Sequence, residues 1–163
     1  MEKHLIVFWP NAQGARKRLM EEVERSSSIC HCSDIVVETP KEAQDLYNSL
    51  YDDKLLGKPY KLRECGFGTV TVLVVEVLKS YSEESTTSGV REVNTAIFNL
   101  KIRLRALTGG GHKVHATEDQ IEAYDDCIFF LGYPLSAEHF YVSRAGDFSV
   151  NWREFLAMGP GLL

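Results

Sequence analysis

The chain lacks the features that would take it into a membrane or onto a nucleic acid. Its apolar runs are far shorter than the roughly 20 residues that a membrane-spanning helix needs. Acidic side chains outnumber basic ones, 23 against 18, and the net charge of −5 does not favour general binding to nucleic acid. The N-terminus carries Glu2 and passes straight into an apolar run, unlike a secretory signal peptide. We therefore expect a cytoplasmic protein that binds neither membranes nor nucleic acid.

Cysteine is also sparse. The four residues are Cys30, Cys32, Cys65 and Cys127. They match no zinc-binding framework, because one residue separates Cys30 from Cys32 and no second close pair follows. We expect reduced thiols that pack in the interior. With 163 residues the chain can bury a core without disulfides or metal, and we predict a single domain over 1–163.

The hydrophobic pattern predicts strands that alternate with helices. Apolar or β-branched runs predict strands at 4–9, 29–39, 70–78 and 112–117, and helical spacing predicts helices at 12–25, 40–51, 93–107 and 119–131. The stretch 54–68 is interpreted as irregular, 81–89 as a loop, and the residues after Pro134 as an ordered tail with two aromatic clusters. This order favours an α+β fold with an antiparallel sheet and helices on one face. A doubly wound parallel sheet is the alternative.

The stretch 108–119 combines residue types that chemistry uses. The glycines Gly109–Gly111 precede His112 and His115, and an acidic segment able to start a helix follows. Glycine lets the backbone approach a ligand, and histidine changes protonation near neutral pH. In the plainer interpretation the glycines end a helix in a tight turn and His115 is a buried histidine. Because no P-loop lysine and hydroxyl follow the glycines, the turn is favoured over a phosphate cradle.

The segment 114–126 resembles the phosphohistidine segment of nucleoside diphosphate kinases. In that family a histidine is followed by Gly-Ser-Asp and by a helix that carries an alanine and an acid. The sequence Val-His-Ala-Thr-Glu-Asp-Gln-Ile-Glu-Ala-Tyr-Asp puts His115 at the nucleophile, Thr117 at the neighbouring hydroxyl and Asp126 at the carboxylate that orients the imidazole. The resemblance implies a ferredoxin-like antiparallel sheet of four strands, and transfer of a γ-phosphoryl group between nucleotides through a phosphohistidine.

The resemblance extends over most of the chain. Residues 41–47 and 57–60 look like the two helices that clamp the nucleotide, and 151–152 is similar to the closing segment of the family. The implied nucleotide-binding residues are Tyr60 as the platform for the base, Tyr47 or Tyr51 at a phosphate, Arg103, Arg105 and His112. The tyrosines on the helix and the two arginines have plainer interpretations, as core aromatics and solvated charges. The resemblance also implies nucleoside di- and triphosphates as ligands, Mg²⁺ carried with the nucleotide, and a homo-oligomer.

Two departures from the family pattern define an alternative function. The first strand of these kinases ends in lysine before Pro-Asp, whereas this chain has Trp9-Pro10-Asn11. Their long loop before the last strand, with threonine and arginine contacts to phosphate, is absent here. The alternative is a catalytically inactive relative that binds nucleotide or another protein. A third hypothesis is an unrelated ferredoxin-like hydrolase with His112 and His115 as metal ligands. The sequence offers few further residues that could complete such a metal site.

Overall fold

The computed structural model describes residues 1–51, 60–132 and 135. The strands are β1 (Glu2–Phe8), β2 (Ser28–Val37), β3 (Gly68–Val77), β4 (Tyr81–Thr86), β5 (Gly89–Asn94) and β6 (Val114–Ala116). The helices are α1 (Arg16–Ser26), α2 (Pro40–Tyr51), α3 (Tyr60–Cys65), α4 (Thr95–Leu107) and α5 (Gln120–Leu131), with a 3₁₀ turn at Pro10–Ala15 before α1. None of these helices is long and apolar enough to cross a membrane. The predicted aromatic tail, the closing segment 151–152 and residues 57–59 of the second clamp segment lie outside the described residues.

The main sheet has four strands in the order β2-β3-β1-β6. Every pair in it is antiparallel: β1 pairs with β3 and with β6, and β2 pairs with β3. The predicted α+β fold with an antiparallel sheet of four strands is therefore confirmed, and the parallel alternative is wrong. Because β1 is central and β6 is its edge neighbour, the short strand that carries His115 is fixed against the middle of the sheet.

Helices cover both faces of the sheet, so the prediction of helices on one face is wrong. Successive residues of a strand point to opposite faces. Leu5 and Val7 of β1 pack with residues of α2 and α5, whereas Ile6 and Phe8 pack with residues of α1 and α4. The unbroken apolar run over 5–9, without polar alternation, is the pattern of a strand that is covered on both sides.

Two segments interpreted as irregular have regular structure. The loop predicted at 81–89 is part of a hairpin, in which β4 pairs with β5 from Tyr81 opposite Asn94 to Thr86 opposite Gly89. The stretch predicted as irregular at 54–68 contains the helix α3. Both were missed because neither has a long run of apolar residues: the hairpin is mostly polar, and α3 is too short to show helical periodicity.

The glycines at 109–111 end α4 and turn the chain into β6. All three have positive φ, at 88°, 95° and 77°. The N–H groups of Gly109 and Gly110 donate to carbonyls in the last turn of α4, at 3.1 and 2.9 Å. A side chain at Gly111 would collide with the carboxylate of Glu64, which accepts a hydrogen bond from the N–H of His112 at 2.9 Å. These backbone donors serve the fold, as in the interpretation of the glycines as a turn.

Candidate functional site

A cleft of about 1100 Å³ opens beside β6, between α3, α5 and the β4–β5 hairpin. Six of the residues predicted for the site line it: His115, Asp126, Tyr51, Tyr60, Arg105 and His112. They come from five different elements and from the turn before β6, so the fold brings together residues that are up to 75 positions apart in the sequence (51 to 126).

His115 is held by a carboxylate on the next helix. Its Nε2 lies 2.7 Å from Oδ2 of Asp126, eleven residues further along the chain. Asp119 caps the N-terminus of α5 by accepting a hydrogen bond from the N–H of Glu122 at 2.8 Å, which fixes where the helix begins. From that start, Asp126 lies two turns into α5 and faces back toward β6.

The contact with Asp126 distinguishes the two nitrogens of the imidazole. A carboxylate accepts only, so Nε2 carries the proton in the neutral ring and Nδ1 keeps a lone pair. No hydrogen bond to Nδ1 of His115 is made by the described residues. The side chains of His115 and Asp126 are 11% and 10% exposed. The pair is therefore a largely buried, oriented imidazole with one nitrogen available to a reactant.

A second carboxylate, that of Glu122, also lies near the ring. Its Oε1 is 3.5 Å from Nε2 of His115, and burial raises the pKa of this carboxyl. Ligand atoms of His115, Glu122 and Asp126 lie within 4.8 Å of one another, a grouping that could hold a cation. Within the described part of the chain, His112 is not in this group, so the structure joins His115 to carboxylates rather than to the other histidine. Sequence analysis missed Glu122, although its position four residues before Asp126 puts both on one helix face.

Two aromatic rings lie near both His115 and a buried lysine. The ring of Tyr51 meets that of His115 edge-on at 5.8 Å, and the ring of Trp9 lies 6.4 Å from it. The Nζ of Lys61 lies 4.4 Å from the centroid of Tyr51 and 5.7 Å from that of Trp9. Burial lowers the pKa of Lys61. Lys61 was missed because a single lysine in a stretch interpreted as irregular carries no signal.

Arg105 and His112 add positive charge and a titratable ring to the same wall. The Nε of Arg105 donates to the carbonyl of Val114 at 2.9 Å, which ties the end of α4 to β6. Burial lowers the pKa of Arg105. The pKa of His112 is lowered by burial first, and then by the nearby charges of Arg105 and Lys61. Tyr60, at the start of α3, is 42% exposed and offers its ring to the cleft.

Three predicted site residues lie elsewhere and make other contacts. The hydroxyl of Thr117 is fully buried and accepts a hydrogen bond from the N–H of Leu5 at 3.1 Å, which joins the chain after β6 to β1. The hydroxyl of Tyr47 donates to the carbonyl of Gly66 at 2.6 Å in the core. The Nε of Arg103 donates to a carboxylate on α1 at 2.9 Å. None of the three is among the residues that line the cleft.

The β4–β5 hairpin and the neighbouring helix ends form the opposite wall. Hydroxyl side chains at 85–88 line the cleft at the hairpin tip. Four charged residues line the same wall: Arg91 lies 3.3 Å from Glu118 and 3.2 Å from Asp119, and the Nζ of Lys101 lies 2.8 Å from Glu118. These charges neutralise one another. Sequence analysis missed this wall because the hairpin was interpreted as a loop.

No protein-family model and no curated protein sequence matches the chain. Solved structures do match it. The nucleoside diphosphate kinase from Encephalitozoon cuniculi, in an apo cubic crystal form, has a TM-score of 0.52 at 15% sequence identity, with 86% of this chain and 99% of that chain covered. The nucleoside diphosphate kinase from Aquifex aeolicus has a TM-score of 0.50 at 20% identity, with 83% and 99% covered. The chain therefore has a nucleoside diphosphate kinase-like fold, as the resemblance in sequence implies.

Proposed function

We propose that this protein transfers the γ-phosphoryl group between nucleotides through a phosphohistidine at His115. The observation that carries the proposal is the 2.7 Å contact between Nε2 of His115 and Asp126 in a cleft that Tyr60 and Arg105 also line. An imidazole fixed in this way presents Nδ1 as a neutral nucleophile. Asp126 keeps the proton on Nε2 and stabilises the positive charge that the ring gains when it is phosphorylated.

The reaction has two half-steps that share one intermediate. The lone pair of Nδ1 attacks the γ-phosphorus of a nucleoside triphosphate, the bond to the bridging oxygen breaks, and the diphosphate leaves with those electrons. A terminal phosphate oxygen of a second diphosphate then attacks the same phosphorus. The P–N bond breaks and its electron pair returns to Nδ1. Such transfer depends on positioning and on charge stabilisation, so the substrate is the nucleotide with its Mg²⁺ and the cleft supplies the remaining cations.

In this proposal the rest of the cleft binds the nucleotide. Tyr60 is exposed enough to stack on a base, an interaction that does not discriminate strongly among bases. Arg105 supplies a permanent positive charge near β6, and Tyr51 and His112 also line the cleft. The proposal includes assembly as a homo-oligomer and a cytoplasmic location. Light scattering of the purified chain and cell fractionation test these two points.

Labelling tests the proposal directly. We expect that incubation with ATP labelled in its γ-phosphate, followed by an alkaline gel, yields a phosphoprotein that acid destroys and that His115→Ala abolishes. The matched control is His31→Gln, which removes a histidine of β2 that bonds to Ser33 rather than lining the cleft. It should keep the label. Absence of label on the unmodified chain at high protein concentration would rule out the phosphohistidine.

A catalytically inactive nucleotide-binding or protein-interaction module is the second candidate. The observation that favours it is Trp9, which stands where the family pattern has lysine and is fully buried against the ring of Tyr47 at 5.1 Å. Calorimetry with ADP and Mg²⁺ distinguishes a nucleotide-binding module from a protein-interaction module. Binding without phosphohistidine formation supports a nucleotide sensor, and absence of binding supports a protein-interaction module.

A further inference from the structure

The ammonium group of Lys61 is buried without a carboxylate partner in the described part of the chain. The residue is 6% exposed. Its contacts are the rings of Tyr51 and Trp9, and the thiol of Cys65 one helical turn along α3. None of the described carboxylates lies within ion-pair distance of it. Long charged side chains are almost never buried in this way unless they are paired, because removing an ammonium from water is costly.

The ammonium of Lys61 lies in the part of the structure that also contains His115. Lys61 lines the same cleft as His115 and Arg105. The two rings that Lys61 contacts, those of Tyr51 and Trp9, are also the rings that lie against the imidazole of His115. One aromatic surface therefore holds the ammonium and the imidazole together. Arg105 adds a second positive charge to the wall, and this charge also disfavours the protonated form of Lys61.

A wall with one buried and one partly buried cation, neither paired with a carboxylate of the described residues, fits an anionic ligand. Lys61 and Arg105 make no ion pair with the described residues, whereas the cations on the hairpin side are neutralised by Glu118 and Asp119. An anion that entered the cleft would be attracted most strongly by Lys61 and Arg105, which line the same cleft as His115. In a partly desolvated site such charge-assisted contacts are stronger than at the surface.

We propose that Lys61 binds the terminal phosphate of the nucleotide and holds it against His115. This inference rests on the function proposed above, which it deepens by naming the residue that recognises the phosphate to be transferred. The rings of Tyr51 and Trp9 contact the Nζ of Lys61 and favour one position of the ammonium. The ammonium is then preorganised for the phosphate, which supplies the ion-pair partner that no described residue provides for Lys61.

The test compares two variants by calorimetry with ADP, AMP and inorganic pyrophosphate. Lys61→Met keeps a long apolar side chain between the rings but removes the charge, and Lys61→Arg keeps the charge. We expect Lys61→Met to weaken ADP and pyrophosphate binding by about 10-fold or more and AMP binding much less. Lys61→Arg should keep most of the affinity. The matched control, Lys17→Met, removes an exposed lysine of α1 that is not among the residues lining the cleft, and should bind as the unmodified chain does.

Each result bears on this inference separately from the phosphohistidine. If Lys61→Met remains folded by circular dichroism and binds ADP as tightly as the unmodified chain, the inference is wrong. An equal loss for ADP and AMP, or an unmodified chain that binds neither ADP nor pyrophosphate, would also overturn it. If ADP affinity depends on the charge of Lys61 but His115 is never labelled, the phosphate contact stands and the proposed transfer fails. Labelling of His115 in Lys61→Met with unchanged KM for ATP would instead support the transfer and overturn the phosphate contact.

Discussion

Two buried lysines line the same cleft, but one contacts a carboxylate and the other contacts aromatic rings. Lys101, on α4 near the hairpin, is 7% exposed and its Nζ lies 2.8 Å from Glu118. Lys61, on α3, is 6% exposed and contacts two aromatic rings and a thiol. The two lysines are buried to nearly the same degree, so burial alone does not distinguish a cation with a structural role from a cation proposed to bind a ligand. The partner of each lysine separates the two cases. Lys101 forms an ion pair with Glu118, whereas Lys61 has no ion-pair partner among the described residues.

The same difference extends to the two walls of the cleft. On the hairpin side, Glu118 is shared by Lys101 and Arg91, and Arg91 also reaches Asp119. This network links β5, α4 and the start of α5. On the α3 side the positive charges of Lys61 and Arg105 have no ion-pair partner among the described residues, and the negative charges lie behind His115 on α5. The hairpin side therefore serves folding, and the α3 side is where we expect the phosphate.

The largest change in stability should come from breaking the network on the hairpin side. In Lys101→Met, Glu118 loses its closest partner and remains 12% exposed beside Arg91. Removing one partner of a buried pair is strongly destabilising, and we expect a loss of about 3 kcal/mol in the free energy of unfolding. Urea unfolding followed by circular dichroism measures it. A loss below about 0.5 kcal/mol would show that the pair of Lys101 and Glu118 is dispensable for folding, against the contrast drawn between Lys101 and Lys61.

Removing the charge on the α3 side should have a smaller effect, and it should not destabilise the fold. Lys61→Met replaces a desolvated ammonium by an apolar chain of similar length, which relieves the cost of burying the charge and loses the cation–π contacts. We expect the free energy of unfolding to stay the same or to rise by about 1 kcal/mol. The same urea experiment checks this. A loss as large as that of Lys101→Met would make Lys61 a structural residue.

Glu122 gives a test that depends on pH. Burial raises its pKa above the ordinary 4.5, so the folded state binds this proton more tightly than the unfolded state. The ionised carboxylate therefore costs stability above its folded pKa, and this cost disappears as the pH falls toward 4.5. We expect Glu122→Gln to raise the melting temperature by about 2 °C at pH 8, with the difference vanishing near the ordinary pKa. A gain that is the same at every pH would contradict this cause.

The smallest effect is expected for an exposed pair. Lys41 and Asp45 lie 3.7 Å apart on α2, with side chains 89% and 54% exposed. Pairs of this kind contribute little, so Lys41→Met should change the free energy of unfolding by less than about 0.5 kcal/mol. Urea unfolding measures this change as well. A larger change would mean that the charge of Lys41 acts over a longer range than its contact with Asp45.

The contact between His115 and Asp126 could be predicted from the sequence because its signal is local. The segment 114–126 contains both His115 and Asp126, and the start of α5 at Asp119 is marked by an N-cap residue, so the spacing determines how they meet. The order of apolar runs favoured an antiparallel sheet but left the parallel alternative open, and the strand pairing decides between them. The second covered face of the sheet was missed, although β1 carries the apolar run that indicates it.

Arg105 was predicted for the site, but Lys61, the other cation on its side of the cleft, could not be, because its role depends on contacts between distant segments. Lys61 becomes distinctive only when α3 packs it against Trp9, just after β1, and against Tyr51 at the end of α2. In the sequence Trp9 indicates the loss of a cation, whereas in the structure its ring supports the ammonium of Lys61. The opposite wall was missed for a similar reason. The strands β4 and β5 pair with each other, but their sequence is rich in serine, threonine and glutamate and shows no apolar periodicity.

The most direct test of phosphoryl transfer through His115 is to locate the phosphate on its ring. Nitrogen–phosphorus NMR of the protein after reaction with ATP and Mg²⁺ reports which imidazole nitrogen is bonded to phosphorus. Because Asp126 holds Nε2 at 2.7 Å, we predict phosphorylation at Nδ1 of His115 and a proton retained on Nε2. Phosphorus bonded to Nε2, or no bond between phosphorus and this imidazole under conditions in which the chain binds ATP, would contradict the proposed mechanism.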